Sequence, residues 1–144
     1  METILIEKLR EYILENNPDI LINLQTDFSI NQYLEEKVHC IQPLLEELLA
    51  DGKPSYIIEE LCLNELTKDL RPSKFNYIRR VFEEEFEQNF LLLKKNNTLT
   101  YEIMNLISEC EPVFEIFGFA EETEDNRNLH YGVAGTIQQY LDSK

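Results

Sequence analysis

Residues 70–90, "LRPSKFNYIRRVFEEEFEQNF", decide the fold class, because their apolar positions keep one clear period. Phe75, Ile78, Phe82, Phe86 and Phe90 step by three or four, and Leu93 continues the series. That spacing lines one face of an α-helix, which repeats about every 3.6 residues, and does not suit a strand, whose faces alternate residue by residue. Pro72 and Ser73 mark the start, so the stretch reads as one long helix with an aromatic stripe turned to the core. The same stretch puts nearly all its positive charge first and nearly all its negative charge last.

The helical period continues in both directions. Upstream, Leu5, Leu9, Tyr12 and Ile13 share a face of a first helix. Asn16-Asn17-Pro18 ends it, since the residue before a proline avoids the helical region. "DILINL" follows as an irregular or short helical connector. Ser29-Ile-Asn-Gln32 has capping-box spacing, with Phe28 and Tyr33 placed as a hydrophobic staple, and predicts the start of a second helix. Its buried stripe is Ile30, Leu34, Val38, Ile41, Leu45 and Leu48; Glu35, Glu36, Gln42, Glu46 and Glu47 lie opposite. Pro43 predicts a kink about a turn earlier, and Asp51-Gly52 a left-handed stop. Pro54 and Ser55 open a third helix. There Ile57, Ile58, Leu61, Cys62, Leu63, Leu66 and Leu70 cover most sides, which predicts a central place in a bundle.

Downstream, "KKNNT" is a loop, and Leu99, Ile103, Leu106, Ile107 and Cys110 define a fifth helix. Glu111-Pro112 is expected to bend or restart it into "VFEIFGF". "AEETEDNRN" reads as a mobile polar loop, and Leu129, Val133, Ile137, Tyr140 and Leu141 share a face of the last helix. Gly132 and Gly135 sit inside it, where glycine weakens a helix and so wants a close neighbour as its reason. No strand alternation and no internal repeat is present. The expectation is an all-α fold, a single domain over 1–144 built as an antiparallel bundle of five to six helices. Residues 1–28 would form an N-terminal helix and connector, and 29–144 the core bundle.

Three pieces resemble a known family. "LRPSKFNYIRRVFEEEF" is similar to its L-x-x-S-K-[YF] helix opening, "EPVF" (111–114) to its short proline element, and "GTIQQYL" (135–141) to its closing G-T-I-x-x-Y helix. They come in the family's order and at similar spacing. The family is an uncharacterised all-helical group typical of Bacteroidetes, domain of unknown function 1896. The resemblance covers roughly residues 30–144. It departs in the first 28 residues and at Arg71-Pro72, where members more often carry His-Phe. It implies the fold class and a bacterial, often mobile-element-associated origin. It carries over no activity, cofactor or catalytic residue.

Composition narrows the function. An apolar fraction of 43% with 8 Phe and 7 Tyr supports a packed core, so the chain is not of the disordered class. The net charge of −15 repels phosphate backbones and anionic lipid, which disfavours direct binding to nucleic acid or to such membranes. No apolar run approaches the roughly 18 residues of a spanning helix. The start, "METILIEKLREYILENN", carries charges every few residues, unlike a signal or transit sequence. Three cysteines without C-x-x-C spacing fit a reduced cytoplasmic setting.

Chemical constellations are scarce. His39 and Cys40 are adjacent, so on a helix they point about 100° apart and do not share an ion. His130 stands alone near a loop, no metal motif is present, and no cofactor is expected. Cys110 lies between Glu109 and Glu111, whose charge raises a thiol pKa. The chain is therefore expected not to be an enzyme. Against that background, residues 68–80 carry five positive side chains and one negative, in an otherwise acidic protein. Arg71, Lys74, Arg79 and Arg80, with Tyr77 as the aromatic beside them, form the candidate site for an anion or a partner. The competing reading is that acids of the same chain, such as those at 121–125, neutralise these bases. The expected function is a non-enzymatic, cytoplasmic interaction or regulatory module with an unknown protein partner, or a second copy of itself in a homodimer. The alternative is an acidic mimic of nucleic acid, or a regulator of a DNA-processing complex.

Overall fold

The structure, a computed structural model, describes residues 1–144. It is all-α, with nine α-helices, one 3-10 turn and no strand. The helices fall into two compact units, Met1–Arg71 and Pro72–Lys144, each with its own buried apolar cluster.

The first unit holds α1 (Glu2–Asn16), α2 (Pro18–Leu24), α3 (Asp27–Cys40), α4 (Gln42–Ala50) and α5 (Ser55–Thr67), followed by a 3-10 turn, Lys68–Leu70. Helix α1 packs against α2, α3 and α5, burying Leu5, Leu9 and Ile13 among Leu34, Val38, Ile58, Cys62 and Leu66. Each such aliphatic side chain contributes on the order of 1.5–3 kcal/mol by leaving water. The connector at 19–24 is helical, because Pro18 stands at the first position of α2, where its missing N–H is no loss. The cap of α3 differs from the expected box. Thr26 is the N-cap, its Oγ1 accepting from the Ser29 amide at 3.1 Å, and Phe28 is 77% exposed instead of stapled. Thr26 takes this role because its hydroxyl also bonds the Ser29 hydroxyl at 2.8 Å and Asp27 then stands in the first turn, beside the positive end of the helix.

Pro43 separates two helices where a kink was expected. The α3 helix stops at Cys40, and Ile41, with φ −99° and ψ 11°, caps α4, in which the proline lies in the first turn. Gly52 ends α4 at φ +71°, with the Lys53 amide reaching back to the Leu48 carbonyl. Helix α5 is not central on all sides. It buries one stripe, Ile58, Cys62 and Leu66, and leaves Leu61 40% exposed.

The second unit holds α6 (Lys74–Glu85), α7 (Glu87–Lys95), α8 (Leu99–Phe117) and α9 (Arg127–Asp142). Helices α6, α8 and α9 pack pairwise, and α7 lies on α6 and α8. Their interior joins Phe75, Ile78, Phe82, Ile103, Leu106, Phe114, Leu129, Val133 and Ile137. The expected long fourth helix breaks at Phe86, which has φ −134° and ψ 49°. Phe82 and Phe90 would stand about 12 Å apart along a straight helix. The break brings their ring centres to 6.3 Å and keeps Phe90 buried. Glu83 and Glu87, like charges one turn apart, weaken the helix where it gives way.

Helix α8 runs as one helix through Pro112, with no restart there, and ends at Gly118, φ +61°. The 120–126 stretch, expected to be mobile, is a hydrogen-bonded turn. Thr123 Oγ1 accepts from the Ala120 amide at 2.9 Å and donates to the Gly118 carbonyl at 2.9 Å. Asn126 then caps α9, its Oδ1 accepting from the amides of Asn128 and Leu129. Gly132 meets α8 closely, as a Cβ there would lie 2.8 Å from Val113 Cγ1. Gly135 has nothing within 4 Å of that position, so no close neighbour explains it. No helix is long and apolar enough to cross a membrane.

Candidate functional site

The bases of the 68–80 cluster meet partners inside the chain. Arg71 lies in the first unit, its guanidinium donating to the backbone carbonyls of Asn64 (3.1 Å) and Thr67 (3.4 Å) at the end of α5. Lys68 pairs with Glu65 at 2.6 Å. In the second unit Ser73 caps α6 by accepting from the Asn76 amide, and Lys74 reaches both oxygens of Glu111 at 2.9 and 3.1 Å. Lys74 also lies over the Phe114 ring, and Arg79 over the Phe90 ring. Such half-exposed pairs are worth only about 0.2–1 kcal/mol each, but they occupy the charges an anion would use. Arg80 pairs across to Glu124 at 3.8 Å and not with Glu83 or Glu84 one turn away.

Tyr77 is the exception among these neighbours. Expected as an aromatic contact at the surface, it is 3% exposed, its ring edge-on to Phe114 and Phe119 at 6.0 and 5.3 Å. Its hydroxyl is buried with no hydrogen-bond partner. Leaving such a group unpaired costs about 1–3 kcal/mol, so it calls for a reason. Burial pushes the hydroxyl pKa up. Arg80 pulls it down, and Glu124, Glu84 and Asp125 raise it again, which places the hydroxyl in the field of those four side chains.

The same residues line a cleft of about 510 Å³. Helix α6 contributes Tyr77, Arg80, Glu84 and Glu85 from one face; the turn contributes Glu124, Asp125 and Asn126; and the first turns of α9 contribute Arg127, His130 and Tyr131. His130 Nε2 lies 3.0 Å from Glu85 Oε1, tying α9 to the end of α6. Arg80 lies over the Tyr77 ring at 5.3 Å while holding Glu124 only loosely, and Tyr131 is 62% exposed at the rim. Four carboxylates thus face two guanidinium groups, so the cleft is anionic although its inner wall comes from the basic stretch. Tyr77 and Arg80 are the two expected site residues brought together here. Arg71, Lys74 and Arg79 are not part of the cleft. Arg127 and Tyr131 escaped the sequence reading and His130 was set aside there as standing alone, although their spacing of three and four places them on one helical face.

A second cleft, of about 700 Å³ in the first unit, is lined by Glu2, Ile6, Glu35, Glu36, His39 and Cys40 among others. Its polar groups are exposed, and none is a buried atom lacking a partner. No group of three or more His, Cys, Asp or Glu side chains is placed to hold a metal ion. Burial, with Glu109 and Glu111, pushes the Cys110 thiol up to about 12, and burial also raises Cys62, so both stay protonated near neutral pH.

A family model described as a domain of unknown function (DUF1896) matches residues 6–144, reaching back into α1 beyond the three motifs that suggested it. No curated protein and no solved structure matches the chain.

Proposed function

The chain belongs to the DUF1896 family, and from that premise we propose that it acts in the cytoplasm by binding a basic macromolecular partner, with no reaction of its own. The observation that carries this is the cleft of the second unit, where carboxylates outnumber guanidinium groups beside an unpartnered tyrosine hydroxyl. Of the bases that would have favoured an anion, Lys74 is engaged by Glu111, Arg80 by Glu124 and Arg71 by backbone carbonyls, while Arg79 lies over the Phe90 ring. The net charge of −15 adds long-range attraction for a basic surface. Protonated, buried Cys62 and Cys110 support a role without thiol chemistry, and unpaired cysteines accord with a reducing compartment.

The test is binding of the full chain to an oligoarginine peptide at increasing ionic strength, with oligoglutamate as control. The basic peptide should bind and lose at least about tenfold in affinity between roughly 0.05 and 0.5 M salt, as screening shortens the reach of the field. Preference for oligoglutamate, or no binding of either, would refute the proposal. The charge also favours a second reading, an acidic mimic that occupies a DNA-binding protein. For that reading, duplex DNA should compete with the chain for such a partner.

A further inference from the structure

We propose that the cleft formed by α6, the 120–126 turn and the start of α9 receives a guanidinium or alkylammonium head from a partner's basic side chain, with Arg80 as its internal stand-in. This rests on the binding role proposed above and adds the atoms that carry recognition. Arg80 already shows what the position accepts, a planar cation over the Tyr77 ring with a carboxylate at its edge. Its contact with Glu124 is loose at 3.8 Å, and half of its side chain is exposed, so it can swing outward.

An incoming guanidinium would take its place against Glu124, with Glu84 and Asp125 alongside. Seated nearer the hydroxyl than Arg80, which leaves it unpartnered, the incoming group would bring N–H donors to the Tyr77 oxygen and its free lone pair. Tyr131, exposed at the rim, offers a second ring face for the cation or its alkyl stem. An anion would meet four carboxylates at the same place. The displaced Arg80 makes the site self-competing, since the free protein must give up one cation contact to gain another. An anion site and a cation site therefore respond oppositely to loss of Arg80.

The experiment follows backbone amides of the labelled full chain while an oligoarginine peptide is added. Shifts should centre on Tyr77, Arg80 and residues 124–131. The triple variant Glu84→Gln, Glu124→Gln, Asp125→Asn should bind about tenfold more weakly, the factor that 1.4 kcal/mol represents. Tyr77→Phe keeps the ring and should weaken binding severalfold with an unchanged circular dichroism spectrum. Arg80→Ala should tighten binding severalfold. Peptide that binds with shifts elsewhere, or with unchanged affinity in the triple and Tyr77→Phe variants, would overturn this site while leaving the wider role standing. Loss of binding in Arg80→Ala would overturn it as well. Absence of any oligoarginine binding would overturn both. Spermidine is the second arm: if it occupied the cleft more tightly than the peptide, the source would be a free polyamine and the side-chain assignment would fail.

Discussion

Replacing each of the two α9 glycines by alanine tests the packing of the second unit directly, because only one of the two new Cβ atoms would meet a neighbour. Both lie inside α9, where alanine is favoured over glycine by about 1 kcal/mol. At Gly135 a new Cβ meets nothing within 4 Å, so Gly135→Ala should stabilise by about 0.5–1 kcal/mol. At Gly132 the new Cβ would stand 2.8 Å from Val113 Cγ1. Carbon atoms prefer about 3.5–4.0 Å, so one partner must move by most of an ångström. Val113 cannot yield by turning its side chain, since a β-branched residue in a helix has one strongly preferred rotamer. Separation of α8 from α9 would then loosen the layer of Cys110, Phe114, Leu129 and Val133, and overpacking of this kind costs about 1–3 kcal/mol. The two variants should therefore differ by about 1–3 kcal/mol, Gly135→Ala being the more stable. Urea unfolding, with hydrogen exchange of the α8 and α9 amides as the local probe, measures the difference. Adding Val113→Ala to Gly132→Ala should recover most of it. If Gly132→Ala stabilises as much as Gly135→Ala, the close approach of the two helices is wrong.

Two further expectations concern single groups. Thr26→Ala should cost the first unit about 1 kcal/mol of urea stability and Ser29→Ala clearly less, since Thr26 supplies the capping oxygen of α3. Burial alone would raise the carboxyl pKa of Glu102, but hydrogen bonds from Lys144 and Tyr140 outweigh it and hold the group below its usual value. Its stabilisation is thus present above the unfolded pKa of about 4.3 and is lost as pH falls through the folded value, so Glu102→Gln should flatten the acid limb of a stability–pH curve.

The faces of the helices were legible because a period reports local geometry. Leu5, Leu9 and Ile13, or Leu129, Val133 and Ile137, could be read as buried before any partner was known. Which faces meet was not legible, since a stripe on α5 or α6 does not say which other stripe it touches, and so the division into two clusters had no signal in the sequence. Breaks were legible only where a residue imposes them. Pro43 announced an interruption but not its form, and Pro112 announced one that α8 absorbs. Phe86 announced nothing by its own backbone preference, and the like charges of Glu83 and Glu87 around it were a weak signal beside the packing of Phe82 with Phe90 that the break permits. The cap at Thr26 was missed because two hydroxyl residues three apart compete for one helix start, and only the geometry chooses.

The charge reversal at 70–90 shows why local charge does not give the sign of a site. Five bases against one acid over 68–80 read as a positive patch only while the rest of the chain is left out. Folding brings Glu111 to Lys74 across 37 positions and sets Glu124 opposite Arg80, so that these two bases become partners of the chain's own carboxylates. The acids left over, Glu84 and Asp125, then line the cleft beside a hydroxyl that has no partner. Arg80 is attractive to an anion when read alone, yet in the fold it is held on an aromatic ring by a carboxylate, the environment of a bound cation. The sign of the site is therefore a property of the packing of α6 against α9, and a variant that removes Arg80 reads that sign without the identity of the partner being known.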